Sequence, residues 1–459
     1  MNEFNRKEFL KFSIYSLSFL MNCSTETDIN KKYLKLLINS TKKIIILGAG
    51  ISGITCARAL KDRGYENITI LEARNRVGGR INSLSYKGSA LDLGAAWIHG
   101  YKNNPLTPIA NKLNLSLFPT DDNSVLALQE GLGLLPEELV DGYELAYDNI
   151  LDLAQNIRFP DKSRKEVIQS INAGFFDNPV FLSMYSAGEE FDIGGDASEI
   201  SSAYFDSDGG FSGGDVVIPK GYSSIIDYLK NGIDIRLNQV VSSVNRVGSG
   251  FKVISNGEPN ISDIVVCALP LGVLKSGNVI FSPEISTSKK NAIQKIGVGA
   301  VNKIILEYPS VFWDESKQYI NYFSSTKGKF SYIINLKSYL PFNMLCGITT
   351  GKYSAEIDSK SDLFNKNEMH SILKSMYGNS IPDPINSFVT HWSTDPFSLG
   401  SYSFQKMGSE PIHYEELGKT EPPNLFFCGE HTNEAYRGTV HGAYLSGLRV
   451  ADEIKNSIF

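Results

Sequence analysis

The stretch Lys42-Lys43-Ile44-Ile45-Ile46-Leu47-Gly48-Ala49-Gly50-Ile51-Ser52-Gly53 decides how this chain folds. Ile44 to Leu47 is a continuous apolar run, the pattern of a strand buried on both faces. Gly48, Gly50 and Gly53 follow in G-x-G-x-x-G spacing, and Ile54 to Arg63 is compatible with a helix closed by Gly64. In such a turn Gly48 permits the bend, Gly50 lets backbone N–H groups approach a pyrophosphate, and Gly53 lets the helix pack closely on the strand. Ile68 to Leu71 reads as the second strand. Glu72 ends it nineteen residues past Gly53, where a carboxylate can accept both ribose hydroxyls. Glycine-rich turns also serve purely structural ends, but a strand before, a helix after and an acid at this distance favour dinucleotide binding.

The chain continues Glu72-Ala73-Arg74-Asn75-Arg76-Val77-Gly78-Gly79-Arg80. The glycine pair allows close approach to a bound dinucleotide, and Arg74 and Arg80 can face its phosphates. This continuation resembles the R-x-G-G-R motif of the flavin-dependent amine oxidase superfamily. The resemblance implies FAD in preference to NAD, and adds Ser52, Ala96 and Trp97 to the cofactor surface.

With 459 residues the chain is long enough for two domains. Its 42% apolar and 20% charged residues are ordinary for a soluble globular protein. A formal net charge of −6 argues against a general nucleic-acid surface and suits a cationic substrate, though charge alone is weak support for one. The five cysteines, Cys23, Cys56, Cys267, Cys346 and Cys428, show neither a disulfide framework nor zinc spacing and read as small buried residues. Residues 1–41 form an extension or an export signal. Arg6 and Lys7 precede a patchy apolar run too short and interrupted to span a bilayer. Asn5 to Lys11 resembles a twin-arginine signal with lysine in the second place, and Leu20-Met21-Asn22-Cys23 imitates a lipoprotein box poorly. The compartment stays open between export and cytoplasm.

Further on, Ile81–Tyr86 and Ala90–Leu93 read as a hairpin around Lys87-Gly88. Residues 101–215 lose the parallel-strand pattern, and Pro136–Ile157 carries Leu139, Tyr143, Leu145, Ala146, Ile150, Leu151 and Leu153 at helical spacing. From Val216 the first pattern resumes, with strands at 233–237, 251–254 and 263–269. Five more strand-like runs lie between 301 and 392, with a helix at 362–377. Leu425–Cys428 reads as a last buried strand and Gly442–Ile454 as a closing helix. These patterns predict an α/β chain, with a Rossmann-like FAD-binding domain (42–100, 216–284 and 421–459) interleaved with an α+β substrate-binding domain on a mixed sheet (101–215 and 285–420).

Phe426 to Gly447, with Gly429-Glu430 and Val440-His441-Gly442 inside it, resembles the closing motif of polyamine oxidases and is similar to that of lysine-specific histone demethylases. By this resemblance Glu430 and the Val440 backbone hold FAD, and Val241 supplies a backbone clamp at the adenine end. The family places one wall of an aromatic sandwich at Tyr436. Gly400-Ser401-Tyr402 points to Tyr402 as the other, able to guide an amine and attract its remote charge. Ser401 stands where monoamine oxidases carry a flavin-linked cysteine, so noncovalent FAD is expected.

Lys303 enters an apolar strand, where a charge needs a partner; the family places there a lysine holding a water against flavin N5. His99, in Gly94-Ala95-Ala96-Trp97-Ile98-His99-Gly100, matches the histidine form of the polyamine oxidase pattern, without the nearby arginine of L-amino acid oxidases. A satisfied structural histidine is its alternative. Glu190, with Phe191 after it, resembles the acidic–Phe pair that helps receive polyamine nitrogens, and a solvated acidic loop is its alternative. The remaining histidines show no metal-ligand spacing. The resemblance thus implies an oxidase that takes a small cationic polyamine and dioxygen, with no nucleic acid, no transmembrane span and an oligomeric state left open. Oxidation of a monoamine or L-amino acid is the alternative within the superfamily, and a non-catalytic FAD-binding scaffold the alternative outside it.

Overall fold

The structure, a computed structural model, describes residues 41–457. The expected export signal and Cys23 lie outside the described residues. Five parallel strands form one sheet in the order Asp234–Arg236, Asn67–Leu71, Lys43–Leu47, Ile264–Cys267 and Leu425–Phe427. Side chains alternate across it. Ile44 and Ile46 face helices Ile51–Asp62 and Val440–Ser457, while Ile45 and Leu47 join Val253, Val265, Leu417 and Phe427 on the other side. Each such buried aliphatic side chain contributes roughly 1.5–3 kcal/mol over its exposed state. That is why an apolar run with no alternation marks the central strand.

A second sheet of seven strands runs Asn386–Val389, Val301–Glu307, Met344–Thr350, Tyr332–Asn335, Tyr319–Phe323, Val125–Gln129 and Gly133–Leu134. It is antiparallel except where Val125–Gln129 pairs parallel with Tyr319–Phe323. The hairpin Ser83–Tyr86 and Ser89–Asp92 turns at Lys87-Gly88, as its sequence predicts. Leu91 packs with Val301, Ile305 and Tyr319, so this hairpin rests against the seven-stranded sheet. Lys303 sits mid-strand in Val301–Glu307, flanked by strands on both sides.

Two expectations need correction. Residues 101–215 contribute the strand Val125–Gln129, which the sequence pattern did not reveal. The helix expected from Pro136 spans Glu137–Gln155, but Leu139, Leu145 and Leu153 are exposed. Its inward stripe is Tyr143, Tyr147, Ile150 and Leu151, each half-buried, and the buried Ala154, set against Phe175, Phe181 and Tyr185. Spacings of three and four bring those five to one face; Leu145 and Leu153 fall outside it, and Leu139, four residues before Tyr143, is left uncovered in the first turn of the helix. Among the described residues no helix is long and apolar enough to cross a membrane, and no group of three His, Cys, Asp or Glu residues could hold a metal ion.

Candidate active site

The two glycine motifs meet: Gly50 bridges Gly78 in parallel, and the Gly78 N–H donates to the Ala49 carbonyl at 2.8 Å. Gly53 does not line the cavity that opens there, because its role is beneath the turn. A Cβ at Gly53 would lie 2.2 Å from the Gly48 carbonyl oxygen, so only glycine lets the helix start this close to the strand. Glu72 fixes the turn from the other side, accepting the Ala49 N–H at 2.7 Å and the Arg74 N–H at 2.9 Å.

A cavity of about 910 Å³ begins at this cradle. Its wall includes Gly48, Gly50, Ser52, Glu72, Arg74, Gly78, Gly79, Arg80, Ala96, Trp97, Val241, Glu430 and Val440, which were expected to hold the cofactor, and also His99, Lys303 and Tyr402. The strand Val241–Val247 bulges between Val241 and Ser243, which turns its start to the wall. The Ser401 hydroxyl on the same wall is buried with no protein partner.

The charged groups of the cradle hold one another. Arg80 donates to Glu430 at 2.9 Å and to the Ser401 carbonyl, while Glu430 also accepts from Ser403 and from the Gly438 N–H. Burial opposes the Glu430 charge, yet Arg80, His431 and Ser403 together keep its carboxyl below the usual range. Arg74 donates to Asp395 and Ser398, both at 2.8 Å. Lys303 finds its partners in the Asp92 and Gly94 carbonyls, at 2.8 and 2.7 Å, and burial lowers its pKa. Its ammonium stands 5.6 Å from the Trp97 ring.

Two expected substrate residues are placed elsewhere. The Glu190 carboxylate is fully buried off the cavity, where it accepts from Lys327, the Ala197 N–H and Ser186. Its chain neighbours Phe191 and Asp192 reach the cavity instead. Tyr436 is not on the cavity wall, since its face is covered by Phe211 at 5.0 Å and an interplanar angle of 10°. Tyr402 does line the cavity and donates its hydroxyl to the Phe191 carbonyl.

Sequence reasoning missed four carboxylates on this wall: Asp122, Asp192, Asp208 and Asp215. Asp215 accepts from His99 Nδ1 at 2.6 Å and from the Gly100 N–H at 2.8 Å. Burial opposes a charge on His99, but the bond and field of Asp215 raise its pKa above the ordinary value. Asp208 pairs with Arg437 at 3.0 Å, and Asp122 faces the Tyr332 hydroxyl. Asp192 has no side-chain hydrogen bond to the protein. Its side chain is exposed to the cavity, and the loss of bulk water at that depth pushes its carboxyl up to about 6, against His99 and helped by Asp122 and Asp215. A signal for it was present: it stands two residues beyond the acidic position at Glu190.

These features define a class first: a dinucleotide-binding α/β protein whose pocket passes beyond the cofactor cradle to a buried lysine and an acidic chamber. Residues 51–455 match the family described as flavin containing amine oxidoreductase, and the chain belongs to that family. Polyamine oxidase 2 of Arabidopsis thaliana is 34% identical over 433 residues, covering 90% of this chain and 88% of its own. Polyamine oxidase 3 of Oryza sativa subsp. japonica is 34% identical over 436 residues, with 90% and 89% covered. A solved structure of a putrescine oxidase double mutant with redesigned cofactor binding shares the fold, with a TM-score of 0.73 at 19% identity over 90% of this chain and 98% of that one. The cofactor is FAD and the chain is an FAD-dependent amine oxidase of the polyamine oxidase type.

Proposed function

We propose that the enzyme oxidises spermine, spermidine or their acetylated forms at the carbon beside an amine nitrogen. The observation that carries this reading is Asp192, a carboxylate exposed to the cavity with no hydrogen-bonding partner among the described residues, on a wall with Asp122, Asp208 and Asp215. A ligand that closes over this carboxylate buries its charge, which is costly unless the ligand brings an ammonium to compensate it. Each arginine on the wall is committed: Arg74 to Asp395, Arg80 to Glu430, and Arg437 to Asp208. Among the described residues no arginine on the wall is left free for a substrate carboxylate, which favours a polyamine over an L-amino acid.

Residues 42–100, 216–284 and 421–459 form the cofactor domain in this reading, with 101–215 and 285–420 shaping the amine chamber. The cradle of Gly48, Gly50, Gly78 and Gly79 would take the pyrophosphate, with Ser52 at the helix start, Arg74 and Arg80 beside it, and Glu72 toward a ribose. Ala96, Trp97, the Val241 backbone, Glu430 and Val440 complete the contact surface, and the unpartnered Ser401 hydroxyl is free to bond the cofactor without a covalent link. When bound, FAD accepts hydride and passes the electrons to dioxygen, which leaves as peroxide. Lys303, tied to two carbonyls, keeps a third N–H for an ordered water. Trp97, Phe191 and Tyr402 exclude bulk water and favour the neutral amine that the reaction requires. His99 and Asp215 stand as a charge-paired unit beside that chamber.

Anaerobic mixing with spermine tests the reading: an oxidase bleaches the flavin band, whereas a scaffold leaves it unchanged. A peroxide assay across polyamines, monoamines and L-amino acids then separates the substrate classes. Preference for a monoamine or amino acid would overturn the proposal. Asp192→Asn is expected to raise the KM for spermidine about tenfold, a loss of about 1.4 kcal/mol, with kcat little changed. Because the cation needs Asp192 ionised, wild-type kcat/KM should rise as the pH passes about 6, and the variant should lose that limb. An unchanged acidic limb in Asp192→Asn rejects the role.

A further inference from the structure

We infer that Phe211 is a positioning residue for amine binding: it latches a glycine-jointed strap, residues 207–215, which carries Asp208 and Asp215 onto the cavity wall. The inference rests on the polyamine reading for its choice of substrate. Phe211 stacks on Tyr436 at 5.0 Å and meets His441 edge-on at 5.2 Å, while Tyr436 and His441 are 5.1 Å apart. The three rings close a triangle.

Backbone bonds tie the strap on both sides of this latch. The Gly209 N–H donates to the Ala435 carbonyl at 2.6 Å. Lys102 and Tyr101 donate their N–H groups to the Ser212 and Gly214 carbonyls at 2.8 and 2.9 Å. Gly100 lies so close beneath that a Cβ there would sit 2.0 Å from the Phe211 carbonyl oxygen. The strap therefore spans from the segment bearing Tyr436 and Arg437 to the turn bearing His99 and Gly100. Asp208 reaches Arg437 at one end and Asp215 reaches His99 at the other.

Gly209, Gly210, Gly213 and Gly214 have no side chains to pack, so within residues 209–214 only Phe211 offers a large apolar contact. Neither Phe211 nor Tyr436 lines the cavity, and the latch acts through the carboxylates it places. An aromatic pair supplies geometry as well as contact area, with ring centroids about 4.5–7 Å apart. Without it the strap keeps its backbone ties but loses the side chain that sets its height over the cavity.

The test uses the full FAD-loaded enzyme with Phe211→Ala and Phe211→Tyr. Phe211→Ala is expected to raise the KM for spermidine about tenfold while the flavin reduction rate at saturation stays within about twofold. Phe211→Tyr should restore the KM. Amide hydrogen exchange gives a readout free of turnover: peptides covering 207–215 should exchange faster in Phe211→Ala and at the wild-type rate in Phe211→Tyr. Unchanged exchange overturns the latch. Faster exchange with an unchanged KM overturns its role in amine binding. Were wild type inactive on spermidine, the polyamine reading would fall and the exchange arm would still decide the latch.

Discussion

Replacing Lys303 with methionine is expected to slow anaerobic flavin reduction by saturating spermidine about 100-fold, the lower end of what a positioned proton-handling group contributes. The visible spectrum of the bound flavin should remain. Lys303 occupies the middle of Val301–Glu307, held between Met344–Thr350 and Asn386–Val389, so its backbone cannot drift. Two of its three donors go to the Asp92 and Gly94 carbonyls. Methionine keeps the length and apolar stem and removes all three donors. The two carbonyls lose their partner, which costs about 1–3 kcal/mol for each buried group left unsatisfied, so the rate must be measured well below the variant's melting temperature. Reduction within about threefold of wild type would remove Lys303 from the reaction.

Lys327→Met should produce the largest loss of stability, about 3–5 kcal/mol at neutral pH. Lys327 binds Glu190 and reaches Asp196 at 2.6 Å, and both carboxylates are buried. Burial opposes the Asp196 charge, but Lys327 and Ser198 hold its carboxyl at about 2 instead of the usual 3.8. That depression contributes about 2 kcal/mol above pH 4, lost as the pH falls through 2. Burial already raises the Glu190 carboxyl in the wild type, despite Lys327, and in the variant the sign reverses at Asp196 as well. Burial without the ammonium raises both carboxyl pKa values, so the folded state binds protons more readily than the unfolded one and gains stability as the pH falls. Urea melts at pH 7.5 and pH 5 should show the deficit shrinking in acid. A deficit that is equal or larger at pH 5 would contradict this account.

The parallel sheet was legible because a strand covered on both faces admits no polar residue, and Ile44–Leu47 and Ile264–Cys267 carry that constraint in their composition. The cradle was legible for a related reason: a turn packed this tightly excludes side chains, as the Gly53 Cβ that would meet the Gly48 carbonyl oxygen shows. Val125–Gln129 escaped because only Ala127 and Leu128 of its five residues are buried, and the partner that makes them a strand, Tyr319–Phe323, lies far along the chain. The acidic chamber escaped because Asp122, Asp208 and Asp215 sit in polar loops, where a carboxylate resembles any solvated charge until folding brings it to a wall. Glu190 shows the finer difficulty. On a helix, residues two apart point about 200° from each other, so a motif located to within two residues selected the carboxylate that faces Lys327 over the one that faces the cavity. Tyr436 was located by motif, but nothing in the order of residues announces that Phe211 will cover its ring.

The order of strands in the parallel sheet also means that the cavity is built from stretches far apart along the chain. Its edge strand, Leu425–Phe427, and the helix Val440–Ser457, whose Gly447 rests against the first turn of Ile51–Asp62, complete a wall that the glycine turn begins. A chain deprived of residues 425–457 would therefore keep Gly48, Gly50 and Glu72 yet lose Glu430 and Val440, leaving a half-made hollow with nothing opposite it.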